Sequence, residues 1–179
     1  MIDNSLSLQS FHFIISCEGT AEEVIVRKLL AANAFVFPGS NIIEITRKRK
    51  AKEIQDYYLN YDYDWPVCIV RIHDSKSERF KLGSLYVNRF SVKSFTTHPE
   101  IEVLAIIKED AWKDWKKSQK KPSLFCKEDL HLSEIKTCAF PEKYWDADSI
   151  ALAAREYKKL SQIVKGELCL ADLIRDDFI

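Results

Sequence analysis

Residues 11–35, FHFIISCEGTAEEVIVRKLLAANAF, decide the fold. The run opens with apolar residues suited to a buried strand, then changes period and composition to those of a helix. The change falls at Glu18-Gly19-Thr20, so the segment reads as strand, tight turn and helix. Gly19 suits a sharp turn, and Thr20 with Glu23 forms the Thr-x-x-Glu pattern of a capping box, which predicts a helix starting at Thr20.

Working outward, residues 41–46, NIIEIT, predict a short strand, and the basic segment 47–60, RKRKAKEIQDYYLN, predicts an amphipathic helix to about Asn60. After the turn-like DYDWP at 62–66, the run VCIVRIHD at 67–74 is β-branched and apolar, as a central parallel strand should be. It ends at Asp74. Residues 90–96 predict another strand. Pro99 then opens a predicted helix, PEIEVLAIIKEDAWKDWKKS, with Ile101, Leu104, Lys108, Ala111 and Trp115 along one face. The remainder predicts helices near 122–130, 146–160 and 166–176.

Strands alternating with helices predict an α/β fold with a mostly parallel sheet flanked by helices. No repeat or low-complexity linker divides the chain, so the expectation is a single domain with a core at about 8–118 and a C-terminal helical extension at about 119–179. Ligands in such sheets gather at the carboxyl ends of the strands, where Glu18 and Asp74 fall.

The 179 residues are 46% hydrophobic and 30% charged, enough for a buried core. Lysine plus arginine and aspartate plus glutamate both number 27, so the net field gives no general attraction to polyanions or membranes, and a nucleic-acid partner must be held locally. Residues 1–13 carry no basic, apolar leader and no run approaches membrane-spanning length, which sets the expectation of a cytoplasmic protein without a membrane partner. Cys17, Cys68, Cys126, Cys138 and Cys169 are scattered, mostly among apolar neighbours, and no CxxC pair exists. They read as reduced packing residues and not as a zinc site.

Glu18 follows an apolar strand and precedes a helix N-terminus, and with Thr20 and Glu23 already assigned to capping it has no evident local task. Asp74 ends the second strong strand, where an Asx turn with Ser75 and Lys76 is the structural alternative. Two carboxylates at adjacent strand ends need a cation or a proton between them, and an oxygen-only set suits Mg²⁺. Glu100 reads as the reciprocal capping partner of Thr97, whereas Glu102 adjoins the apolar run VLAII and needs a partner of its own. His73 and His98 read as hydrogen-bonded structural residues ahead of bases or ligands. Arg71, Lys76, Arg79 and Lys81 are phosphate-binding candidates beside Asp74, and the run Arg47 to Lys50 with Lys52 is another, although it reads first as solvated surface.

A strand ending in Glu-Gly (IISCEGTAEE), a later strand ending in Asp (VCIVRIHDS) and a Pro-x-x-Glu element (HPEIEVLAII) together resemble a small TOPRIM domain over residues 11–107. The Pro-x-x-Glu element most resembles compact members associated with bacterial restriction and anti-phage defence loci. The resemblance implies Mg²⁺ held by Glu18 and Asp74, with phosphodiester or nucleotide chemistry. Where the family has Asp-x-Asp, this chain has Asp74-Ser75-Lys76, so Glu78 or Glu102 would supply the missing carboxylate. Two functions follow. One is a Mg²⁺-dependent nuclease or nucleotide-processing enzyme; the other is an inactive TOPRIM-like binding or regulatory subunit that meets a protein partner through its C-terminal helices.

Overall fold

The computed structural model describes residues 8, 10–74, 79–135, 137, 139–161, 163 and 166–179. Five strands, β1 (His12–Cys17), β2 (Ile42–Thr46), β3 (Val67–His73), β4 (Phe90–Thr96) and β5 (Leu168–Cys169), form one parallel sheet in the order β2-β1-β3-β4-β5. The helices are α1 (Thr20–Ala31), α2 (Ala51–Ile54), α3 (Val103–Lys108), α4 (Trp112–Ser118), α5 (Pro122–Glu128), α6 (Phe140–Tyr144) and α7 (Ala147–Leu160).

All seven residues of β3 are buried, because both faces of the sheet are covered and no alternation with polar residues is required. On one face Phe13, Ile15, Val70, Ile72 and Phe95 join a large core with Ile25, Leu29, Leu104, Ile106 and Ile150 from the helices. On the other, Ile14, Val67, Ile69 and Phe90 pack against Ile54, Leu59 and Leu82. The larger layer is built by α3 and α1 against α7, so the long C-terminal helix seals the molecule's own core. Asp146 caps α7 by accepting from the Ser149 amide at 2.8 Å.

Several predicted elements are corrected. The helix expected from Pro99 is two helices: residues 98–99 and 101–102 form turns, and α3 ends where Asp110 takes a left-handed conformation, φ 54°. The Asp110 amide donates to Ile107 and the Ala111 amide to Ile106, closing the helix as a Schellman turn with aspartate where glycine is usual. The helix expected at 166–176 is instead the edge strand β5 and a 3₁₀ turn (Leu170–Leu173). The helix expected from residue 47 begins at Ala51 and continues as a π-helical turn (Gln55–Leu59), while α6 had no predicted counterpart. Cys17, Cys68, Cys126 and Cys169 are buried free thiols, and Cys138 lies outside the described residues. Among the described residues no helix is long and apolar enough to cross a membrane.

From β1 the chain turns to β2 on one side, then crosses back over β1 to lay down β3 on the other. The strand order reverses between β1 and β3, and a crevice at the carboxyl ends of such a pair is where open α/β sheets bind ligands.

Candidate active site

Glu18 and Asp74 occupy that switch point. Cys17 is in register with Ile72, and the ladder continues one step as the Glu18 amide donates to the Ile72 carbonyl at 3.1 Å. Asp74 follows His73, the last residue of β3. The strands therefore deliver both carboxylates to one place. Glu18 Oε2 accepts from the Asp74 amide at 3.0 Å, and the two side chains share a hydrogen bond.

Such a pair needs a proton or a cation, and the proton belongs to Asp74. Burial, then the shared hydrogen bond with Glu18 and the charges of Glu18, Glu22 and Glu100, push the Asp74 carboxyl up to about 7. Glu18 moves the other way. Its burial acts to raise it, but this is outweighed by the amide and side-chain hydrogen bonds from Asp74 and the charges of Arg49 and His73, so it is held below the usual carboxylate range. One group is poised to be anionic and the other to carry the proton that a cation would replace.

A third carboxylate stands behind them. Glu22, in the first turn of α1, is only 5% exposed, and burial together with the charges of Glu102 and Glu18 raises its pKa. It explains Gly19. That residue has an extended backbone, φ −147°, open to any amino acid, but a Cβ there would sit 3.1 Å from Glu22 Oε2. A side chain at Gly19 would thus press on the Glu22 carboxylate without straining the turn. Gly19 is also the N-cap of α1, which has no side-chain cap, so the predicted Thr20–Glu23 capping box does not form. Glu23 pairs with Arg27 and Arg47, and Thr20 Oγ1 accepts from Arg47 at 3.2 Å.

The basic run predicted as solvated surface forms one wall of the site. The buried Ser16 hydroxyl donates to the Lys48 carbonyl at 2.8 Å, and the Lys48 amide donates to Thr46 Oγ1 at 3.2 Å, which pins residues 46–48 across the end of β1. Arg49 then reaches Glu18 Oε1 at 3.1 Å. Glu18, Thr20, Thr46, Arg47 and Lys48 line an open groove of about 560 Å³.

The other candidates are distributed as follows. Glu102 lies in the turn before α3 and acts on the site through the charge it presents to Glu22. Glu100 does not cap its own segment: its Oε2 accepts from the Ser123 amide at 2.8 Å, so it caps α5, while its charge still reaches Asp74. Arg71 is buried, its guanidinium 4.4 Å from the centre of the Phe80 ring, and Arg79 is exposed. Lys76 and Glu78 lie outside the described residues. His73 is buried, and His98 donates from Nδ1 to the Asp74 carbonyl at 3.2 Å. Cys17 adjoins the site with its thiol pushed up to about 12 by burial and by the charges of Glu22 and Glu23, which leaves it inert as a nucleophile.

No family model, curated protein or solved structure matches this chain.

Among the described residues no three acidic, histidine or cysteine side chains are already grouped to hold a metal ion. The arrangement is a two-carboxylate one, and Mg²⁺ commonly takes one or two carboxylates and completes its shell with water and substrate phosphate. Glu18 and Asp74 fit that mode of binding. Glu22 is the participant that sequence reasoning missed, and its signal was its place four residues after Glu18, in the first turn of the predicted helix. Arg49 was named within the basic run, and the structure brings it to Glu18.

Proposed function

We infer that the chain is a Mg²⁺-dependent enzyme of phosphodiester or nucleotide chemistry, in line with its resemblance to TOPRIM domains. One observation carries the reading: Glu18 and Asp74 meet at the β1/β3 switch point beside a groove lined by Arg47 and Lys48, with Arg49 paired to Glu18. Carboxylates for a hard cation and guanidinium or ammonium groups for phosphate are the two requirements of phosphoryl chemistry.

In this reading Asp74 is the principal ligand and Glu18 a ligand or general base, while Arg47 and Lys48 hold the phosphates that flank the scissile bond. Mg²⁺ would neutralise the charge that develops on the transferred phosphoryl group. Glu102 and Glu78 would support the site by charge. The cellular setting proposed with it is cytoplasmic anti-phage defence, as in the compact proteins that the Pro-x-x-Glu element resembles.

The second reading, an inactive binding or regulatory subunit, is favoured by the Glu18–Arg49 ion pair, in which the chain supplies its own cation. Incubation with single- and double-stranded DNA, RNA and nucleoside triphosphates at millimolar Mg²⁺ separates the two. The enzyme reading expects cleavage that chelator, Asp74→Asn and Glu18→Gln each abolish. Intact substrates throughout, or cleavage that survives both substitutions, would overturn it.

A further inference from the structure

Across the carboxyl edge of the sheet, the strand order sets three features in a row: the basic groove at β2, the carboxylates at β1 and β3, and a second cavity at β4 and β5. The cavity has a volume of about 260 Å³. That is below the roughly 300–1,000 Å³ of drug-sized sites and suits one planar ring system with water. We propose that this cavity is a nucleobase site, and that the substrate is a nucleic-acid strand with an unstacked base. The proposal rests on reading Glu18 and Asp74 as the phosphodiester site.

Its walls have the chemistry for a base. Trp112, Trp115, Pro99 and Tyr157 supply apolar and aromatic surface, and Lys116 places its ammonium 4.8 and 4.6 Å from the centres of the two indole rings. Trp115 Nε1 donates to the Lys120 carbonyl at 2.8 Å, and the Tyr157 hydroxyl donates to the His98 carbonyl at 2.7 Å. Those polar atoms are committed to the scaffold, so both rings are fixed and turn apolar surface to the cavity. Such preformed walls cost little ordering on binding.

One residue also links the cavity to the end of β3 that carries Asp74. His98 lines the cavity and bonds to the Asp74 carbonyl. A base seated there would have its backbone beside Asp74 and its neighbouring phosphates toward Arg47 and Lys48. A base paired in a duplex cannot enter such a cavity without leaving the stack, which selects single strands, ends or extruded nucleotides.

The test compares a fluorescein-labelled single strand of roughly 12 nucleotides with the same strand made of abasic sugars, titrated against the full chain in chelator. The phosphates are identical in the two probes. The wild type is expected to bind the base-bearing strand at least about tenfold more tightly, as one stacked base typically provides. Trp112→Ala should erase that preference and leave affinity for the abasic strand unchanged, and Trp112→Phe should retain most of it. A strand carrying a photoreactive halogenated uracil, irradiated with the wild type, should crosslink to Trp112, His98 or Tyr157, a readout that needs no variant to fold. Equal binding of the two strands, binding of neither, an unchanged preference in Trp112→Ala, or crosslinks elsewhere would overturn the proposal. No arm uses metal, so failure here leaves the carboxylate reading standing, whereas absence of Mg²⁺-dependent cleavage would overturn that reading and be seen in a separate measurement.

Discussion

The backbone amide of Asp74 donates to the side chain of Glu18 across 3.0 Å, tying the end of β3 to the end of β1. The bond has two effects. It fixes the Glu18 carboxylate at the mouth of the crevice and lowers its pKa, and it brings the Asp74 carboxyl against a negative charge that raises its own. The geometry that stabilises one anion thereby opposes the other, and a divalent cation would relieve the conflict.

Asp74→Asn removes that conflict without changing size. In chelator its melting temperature is expected to be unchanged or up to about 2–4 °C higher, the shift that ~1 kcal/mol gives at this chain length. Glu18→Gln should be close to neutral, because an amide oxygen can still accept from Asp74 and the lost ion pair with half-exposed Arg49 is worth at most about 1 kcal/mol. Millimolar Mg²⁺ should raise the wild-type melting temperature and leave both variants unmoved. Variants that melt far below the wild type in chelator, with no Mg²⁺ effect on the wild type, would defeat the metal reading.

The same pair predicts a pH dependence whose sign can be worked out. Folded Asp74 keeps its proton up to about 7, whereas the unfolded chain loses it near 4, so between those values the folded state binds more protons. Stability from this group is therefore expected to fall as pH rises from about 4 to 7 and to level off above. Glu18, held low, contributes the opposite slope only below its usual range. Mg²⁺ affinity should rise over the window in which Asp74 gives up its proton. Chemical denaturation from pH 4 to 8 checks this: the falling limb should shrink in Asp74→Asn to the part that Glu22, also raised by burial, contributes, and an undiminished limb would assign it away from Asp74.

Leu104 is fully buried in α3, at the centre of the layer that α7 closes. Leu104→Ala is expected to cost roughly 2–5 kcal/mol. A loss below about 1 kcal/mol in urea unfolding would mean that α3 and α7 do not pack as described.

How much was legible in the sequence follows from which signals are local. β1 and β3 were readable because largely apolar or β-branched runs have few other uses, and Glu18 and Asp74 were readable because each ends such a run. The break at Asp110 was not, since it depends on an aspartate accepting a left-handed conformation where no glycine or proline marks it. β5 is two residues long and exists only through pairing with Phe95 and Thr96. Glu100 was assigned to the nearest helix start, yet it caps one that begins at Pro122. Arg49 was read as solvated because the Ser16 hydroxyl that fixes its loop lies in another strand.

Arg49 also decides between the enzyme and the inactive subunit. Its guanidinium lies 3.1 Å from Glu18 Oε1, where it competes with any cation bound by the same carboxylate. In an enzyme that pairing would be temporary: Glu18 would hold Mg²⁺ and Arg49 would turn to substrate phosphate. Arg49→Ala should then tighten Mg²⁺ binding about tenfold, since a like charge no longer opposes the ion, while slowing phosphodiester turnover and flattening its salt dependence. Arg49→Lys should restore the salt dependence and recover only part of the rate, because an ammonium lacks the bidentate grip of a guanidinium. In an inactive subunit Arg49 is the permanent counterion, so Arg49→Ala should leave Mg²⁺ without effect and lower the melting temperature. Calorimetric titration of Mg²⁺ into the wild type and both variants, paired with melting curves, distinguishes the two. Tighter binding in Arg49→Ala supports the enzyme, and a destabilised variant that ignores Mg²⁺ would sink it.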